Sequence, residues 1–408
     1  MVDATRALTD RHDVTVVGAG ILGLATARAL LTRRPALRVV VLDKEPVVGH
    51  HQTGHNSGVV HSGVYYQPGS LKASLCLSGR RELLAYAEQN NIPVDVCGKV
   101  VVAVDSSELV RLEELKRRAL ANGVSGLAEL DGAGLREIEP QAAGIRALHV
   151  PGTGVIDYRA VARALARDVE ELGGELRLGR AVIGFDTTAR ATVVQTAEEA
   201  IETGHVITCA GLQSDRLARL SGADPGVRIV PFRGDYYTLR PESSHLVRGL
   251  LYPVPDPAFP FLGVHFTKRI DGSILAGPNA VLALARERYR RLALVPRDAL
   301  SALGYSGVLR FGRRHLGMAA GELWRDLSKR AFVAELRRYL PAVEARHLSF
   351  GPTGIRAQAM TPAGGLIDDF LIVGGPRTMH VVNAPSPGAT AALAIGAELA
   401  ERAIRDLL

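Results

Sequence analysis

Cysteine is scarce: the 408-residue chain has only three, Cys76, Cys97 and Cys209. They lie far apart and never form C-x-x-C, which argues against a disulfide framework or a cysteine zinc site and suits a reducing compartment. Long hydrophobic runs are missing as well. No stretch of 18 apolar residues occurs, and residues 1–11 are polar and mixed in charge. The expectation is therefore a cytoplasmic protein, neither secreted nor membrane-spanning. H-E-x-x-H, G-x-S-x-G, internal repeats and basic tracts interleaved with aromatics are also absent. Their absence argues against a zinc peptidase, a hydrolase with a nucleophile elbow, and a nucleic-acid binder.

What is present is a mild excess of positive charge. Lys and Arg outnumber Asp and Glu by 49 to 42, largely through arginine pairs such as Arg33/Arg34, Arg117/Arg118, Arg313/Arg314 and Arg337/Arg338. These pairs fall at expected helix positions and read as solvated faces; peripheral contact with an anionic membrane surface is the lesser alternative. At roughly 150 residues per domain the chain has room for two to three domains. Apolar residues make up 47% of it, the balance of a folded α/β protein able to bury a large cofactor.

Residues 13–18 (DVTVVG) form an apolar run ending in glycine, residues 21–33 read as an Ala/Leu-rich helix, and residues 38–43 (RVVVLD) as a second buried strand. Continuous Val/Leu strands of this kind imply a parallel sheet covered on both faces. Residues 47–68 follow neither period, which is long for a loop without purpose. Helices are expected at 70–89, 107–122 and 158–172, strands at 99–104, 175–178, 181–185 and 205–210, and a turn at 154–157. Between 228 and 278 the runs IVPFRGDYYTL, FPFLGVHFT and SILAGP suggest an antiparallel sheet. Helices within 296–340, strands at 371–374 and near 380–382, and a helix from about 388 to 407 complete the reading.

Gly18, Gly20 and Gly23 spell G-x-G-x-x-G directly after a strand and at the opening of a helix. The first glycine permits the tight turn, the second admits a pyrophosphate, and the third lets helix and strand pack closely. The helix start, including Ile21 and Leu22, offers free N–H groups. Asp43 ends the second strand, where a carboxylate can accept ribose hydroxyls, with Lys44 beside it. The turn alone suits FAD or NAD. The segment 383–390 (NAPSPGAT), with Pro385, Ser386, Gly388 and Ala389, returns before a last helix whose N-terminus can face a flavin, which favours FAD.

The segments HQTGHNSGVVHSGVYYQPGSLKASLC (51–76), PFRGDYY (231–237), PFLGVHFTKRIDGSILAGPNAVLA (260–283), GIRAQA (354–359), LIDDFLIV (366–373) and NAPSPGAT closely resemble the L-2-hydroxyglutarate oxidase/dehydrogenase family. The resemblance runs from residue 13 to the last helix. It implies a fold of the D-amino-acid oxidase and glycine oxidase group, α/β (α+β overall). A Rossmann-type FAD domain on a parallel sheet would comprise 1–85, 145–225 and 346–408, and a substrate domain on an antiparallel sheet 86–144 and 226–345. Asp43 departs from the Glu of many relatives, but either acid can bind ribose.

Oxidising a 2-hydroxy acid means removing the hydroxyl proton and passing the Cα hydride to flavin N5, so the site needs a base and cations for carboxylate. His61, His265 and Arg356 are the expected catalytic residues. Arg233, Tyr65, Tyr66 and Lys268, with Lys72, are expected around substrate, although Tyr65 and Tyr66 serve equally well as core aromatics. Thr53, His55, Asn56 and Ser57 in the loop, and Gly211 after the strand 205–210, are expected to contact FAD. His51 and His55 are spaced H-x-x-x-H, but Gln-Thr-Gly between them is not helical, so no metal is expected. The electron acceptor would be oxygen or a membrane quinone, the latter requiring peripheral contact with the inner membrane surface. Rival readings are a related flavoenzyme acting on an amine, as glycine oxidase does, and a flavin-binding sensor without turnover.

Overall fold

A computed structural model of the chain describes residues 8–256, 262–375 and 377–406. The first strand, Leu8–Val17, lies between Val39–Asp43 and Ala200–Thr208, parallel to both. Glu175–Leu178 extends the parallel set beyond Val39–Asp43, and Thr378–Asn383 extends it beyond the C-terminal half of Ala200–Thr208. Three antiparallel strands complete this eight-stranded sheet.

Alternation of side chains explains why these strands carry unbroken Val/Leu runs. Val14, Val16, Val39 and Val41 pack on one side against the helices Ile21–Arg33, Tyr158–Glu171 and Ala392–Asp406. Val17, Val40 and Leu42 pack on the other with Val194, Ile201 and Val206. Both faces are thus removed from water, as a parallel sheet requires.

The nine-stranded second sheet is antiparallel as expected except where Leu250–Pro253 runs parallel to Lys99–Ala103. Its longest pairing joins Arg228–Leu239 to Leu348–Met360, setting Phe232 opposite Arg356. Strands Arg146–Val150 and Leu348–Met360 belong to this sheet, although the sequence reading assigned 145–225 and 346–408 to the cofactor domain. Hydrogen bonding to Lys99–Ala103 and Arg228–Leu239 decides their membership. The strand Ala128–Asp131 and helix Gly132–Ile138 carry no strong period and were not foreseen.

A small third sheet corrects a local expectation. Residues 154–157 do not form a simple turn: Gly154–Ile156 is a strand between Val59–Val60 and Val94–Asp95. Asp157 then caps the next helix by accepting from the Arg159 N–H at 2.8 Å. This sheet pins the long loop from within. Of the expected run FPFLGVHFT, the last three residues fall in the strand His265–Lys268, and Phe261 lies outside the described residues, as do residues 257–260 before it and the expected helix end at Leu407.

Candidate active site

The glycine turn is held as its spacing requires. Gly18 has φ +115° and donates to the Leu42 carbonyl at 2.7 Å. A Cβ on Gly23 would lie 1.9 Å from the Gly18 oxygen, so only glycine lets the helix approach the strand this closely. Gly20 offers no side chain to cap the helix, leaving first-turn N–H groups for an anion. Ile21 is the exception, donating to the Thr53 hydroxyl at 3.1 Å, while Leu22 packs on the first core. Asp43 accepts from the N–H groups of Ala19 at 2.7 Å and Glu45 at 2.9 Å, so it ties the turn to the second strand.

Four other cofactor candidates shape the loop. His55 donates from Nδ1 to the His51 carbonyl at 2.9 Å and stacks on Tyr289, with ring centroids 3.7 Å apart. Asn56 donates to the Gln52 and Thr53 carbonyls and accepts from the Gly58 N–H. Ser57 is half-buried beside it, and Gly211 opens the short turn after Ala200–Thr208, facing Gln52. A Cβ on Gly354 would meet the His55 carbonyl at 2.9 Å. That contact brings the strand bearing Arg356 against the loop.

The segment 383–390 closes on the same loop. Pro385 accepts from the Gly388 N–H at 2.9 Å, and Ala389 packs on the first core. The Ser386 hydroxyl lies 3.2 Å from His61 Nε2 and 3.4 Å from the Tyr66 hydroxyl. Thr390 accepts from the His61 N–H at 3.1 Å and pairs with the Tyr158 hydroxyl at 2.9 Å. Sequence reasoning missed both Thr390 and Tyr158.

His265 is buried, His61 and Arg356 are half-buried, and the charge of Arg356 acts on His265 as that of His265 acts on His61. His61 opens toward Ser386 on its Nε2 side, whereas its Nδ1 and the Tyr65 hydroxyl are buried without a hydrogen-bond partner. His265 donates from Nδ1 to the Gly263 carbonyl at 2.7 Å and stacks on Tyr252 at 3.9 Å. Arg356 passes over Gly234 and donates to the Asn279 carbonyl at 3.3 Å. Burial, then the charges of Lys99, His265 and Lys72, pushes His61 down to about 3. Burial also takes His265 to about 3, with Arg356 and Lys99 acting in the same direction. Both imidazoles are neutral at neutral pH, beside buried cations.

Other candidates are engaged elsewhere. Arg233 is buried between Asp235 at 2.8 Å and Asp326 at 2.7 Å, so its charge is already met. Lys268 donates to Asp95 at 2.8 Å, and Lys72 to Asp368 at 3.0 Å. The strongest addition is Lys99, a lysine opening the otherwise apolar run KVVVA and 2% exposed.

Lys44, expected at the ribose, lies 3.2 Å from Glu287 and 2.7 Å from His51. Glu45, His50 and His51 are the described residues whose ligand atoms converge as a metal site would need. The Lys44 ammonium already pairs with Glu45 there and would repel a cation. His51 and His55 meet through a backbone carbonyl rather than two ring nitrogens.

A glycine turn on a parallel sheet, together with neutral histidines near buried lysines, is the arrangement of a dinucleotide-dependent oxidoreductase. The description FAD dependent oxidoreductase matches residues 13–402. The mitochondrial L-2-hydroxyglutarate dehydrogenase of Nematostella vectensis is 45% identical, covering 97% of this chain and 91% of that protein. The L-2-hydroxyglutarate dehydrogenase of Escherichia coli (strain K12) is 44% identical over 96% and 93%. L-alpha-glycerophosphate oxidase from Mycoplasma pneumoniae, solved with FAD bound, superposes with a TM-score of 0.79 at 22% identity, covering 97% of this chain and 95% of that one. Glycine oxidase from Geobacillus kaustophilus gives 0.73 at 19%, covering 97% and 95%. The chain belongs to the FAD-dependent oxidoreductase family, in its L-2-hydroxyglutarate dehydrogenase branch. The resemblance read from the motifs, the α/β fold and the FAD cofactor all stand.

Proposed function

We propose that this protein oxidises L-2-hydroxyglutarate to 2-oxoglutarate, with the cofactor on the first sheet and the substrate on the second. What supports the reading is that His61 lies within charge range of His265, and His265 within that of Arg356, with Lys99 near both imidazoles. Near-full-length identity of 43–45% to proteins bearing that substrate's name supports it. Bound FAD supplies the two-electron acceptor for the Cα hydrogen.

The turn from Gly18 to Gly23 with Asp43 would hold the adenosine and pyrophosphate end. Thr53, His55, Asn56 and Ser57, Gly211 and the segment from Pro385 to Ala389 would lie along the flavin. Arg356 would grip a substrate carboxylate through its planar guanidinium. His61, neutral and held by Thr390, would accept the hydroxyl proton through Nε2, and His265 would orient the same hydroxyl. An anionic substrate offsets the neighbouring cations and raises the basicity of both imidazoles. A cationic amine would meet charge of its own sign there, which disfavours an amine substrate.

Three free, separated cysteines suit a cytoplasmic setting. Among the described residues no helix is long and apolar enough to cross a membrane, so delivery of electrons to a quinone, rather than to oxygen, would need peripheral docking. Reoxidation rates with oxygen and with a soluble quinone separate the two acceptors. The substrate is tested by adding millimolar L-2-hydroxyglutarate anaerobically to the yellow holoenzyme. Bleaching is expected; no bleaching while another 2-hydroxy acid or an amino acid bleaches it overturns the assignment.

A further inference from the structure

Lys99 lies outside every motif that carries the family resemblance. It opens the strand Lys99–Ala103, and alternation puts it on the face of Val101 and Ala103, both fully buried. The ammonium is therefore directed inward, and the residue is 2% exposed. Its Nζ lies 4.3 Å from the centroid of the Tyr65 ring and 5.1 Å from that of Tyr252. Tyr252 carries the stacked His265, and the charge of Lys99 reaches both His61 and His265.

Among the described residues no carboxylate pairs with Lys99 and no oxygen accepts a hydrogen bond from it. Lysines are almost never buried in this way without a partner. The Cys76 thiol is the acidic group whose charge would act on Lys99; burial pushes that thiol up to about 12, so it supplies no anion at neutral pH. The Tyr65 hydroxyl beside it is buried and unpartnered too. Among the described residues the Lys99 ammonium thus has two aromatic faces but no anion beside it, and the Tyr65 hydroxyl has no hydrogen-bond partner.

We propose that Lys99 is a substrate-binding residue, taking one carboxylate of a dicarboxylic 2-hydroxy acid while Arg356 takes the other. The proposal rests on the reading of the pocket as the oxidation site. It deepens that reading by accounting for a substrate charged at both ends. Burial lowers Lys99 to about 7; an incoming carboxylate raises it again, so binding above that pH draws a proton onto the amine.

The test uses the FAD-loaded enzyme and glutarate, an unreactive dicarboxylate, with binding followed by the perturbation of flavin absorbance. Lys99→Met should weaken glutarate by roughly 30-fold or more, and Lys99→Arg should restore it to within about fivefold. A Met variant within about twofold of wild type overturns the proposal. Should that variant fail to hold FAD, wild type alone decides. Binding of glutarate at pH 8 should take up close to one proton, and no uptake overturns the proposal. If L-2-hydroxyglutarate fails to bleach wild type while glutarate binding still depends on Lys99, the substrate reading falls and the anion site stands.

Discussion

The backbone N–H of His61 donates to the hydroxyl of Thr390 at 3.1 Å, across 329 residues of sequence. The same hydroxyl pairs with Tyr158, so three separate segments fix where the imidazole sits. Thr390→Ala removes the shared oxygen. We expect kcat to fall about tenfold or more with KM little changed, and stability to drop by about 1–2 kcal/mol. Steady-state kinetics beside a denaturant titration checks this; an unchanged kcat would show that Thr390 does not position His61.

Arg356→Lys keeps the charge and loses the planar fork. For L-2-hydroxyglutarate, kcat/KM should fall by about two orders of magnitude, with most of the loss in KM. A KM equal to wild type would remove Arg356 from carboxylate binding.

Arg233 should behave in the opposite way. Its partners Asp235 and Asp326 are buried, so Arg233→Met leaves two carboxylates sharing the longer contacts of one remaining cation, Arg291. Unfolding free energy should fall by about 3–5 kcal/mol, while the protein that remains folded keeps its KM for substrate. Urea unfolding and KM on the folded fraction separate the two effects.

These arginines also show what the sequence could disclose. Both sit near glycine in strand-like runs, and the one local difference is Asp235, two residues after Arg233 and paired with it. The rest of the distinction comes from Asp326, 93 residues beyond Arg233, and from a cross-strand pairing that leaves Arg356 over Gly234. The glycine turn was legible because strand, turn, helix and acid lie within residues 13–43, where spacing carries the geometry. The run KVVVA reads as a strand, but the rings around its lysine come from Tyr65 and Tyr252, brought in by tertiary contacts. The strand Gly154–Ile156 resembles a turn because its partner, Val59–Val60, lies far back in the chain.

Gly23→Ala should abolish the yellow colour. A methyl group 1.9 Å from the Gly18 oxygen forces the helix off the strand, and the first-turn N–H groups move with it. FAD content after gel filtration is the readout; retention of wild-type FAD would show that the turn yields.

Acid should destabilise the protein well before its carboxylates titrate. His265 is held to about 3, and His380, buried between Thr208 and Ser221, to about 4. Both lie below the unfolded value near 6.5, so the stability they contribute is present above about pH 6.5. It is lost as pH falls from there toward 3–4. At pH 5 each costs about 2 kcal/mol. The urea midpoint should therefore fall between pH 6.5 and 5, and a flat midpoint would contradict the buried neutral state.

The tie between His61 and Thr390 also sets the order in which the enzyme can come into being. A growing chain releases the glycine turn and the histidine loop early, but the hydroxyl that fixes His61 and the serine that faces it leave the ribosome hundreds of residues later. Until then the nascent chain holds the glycine turn and the histidine loop without the two hydroxyls that His61 meets in the finished fold.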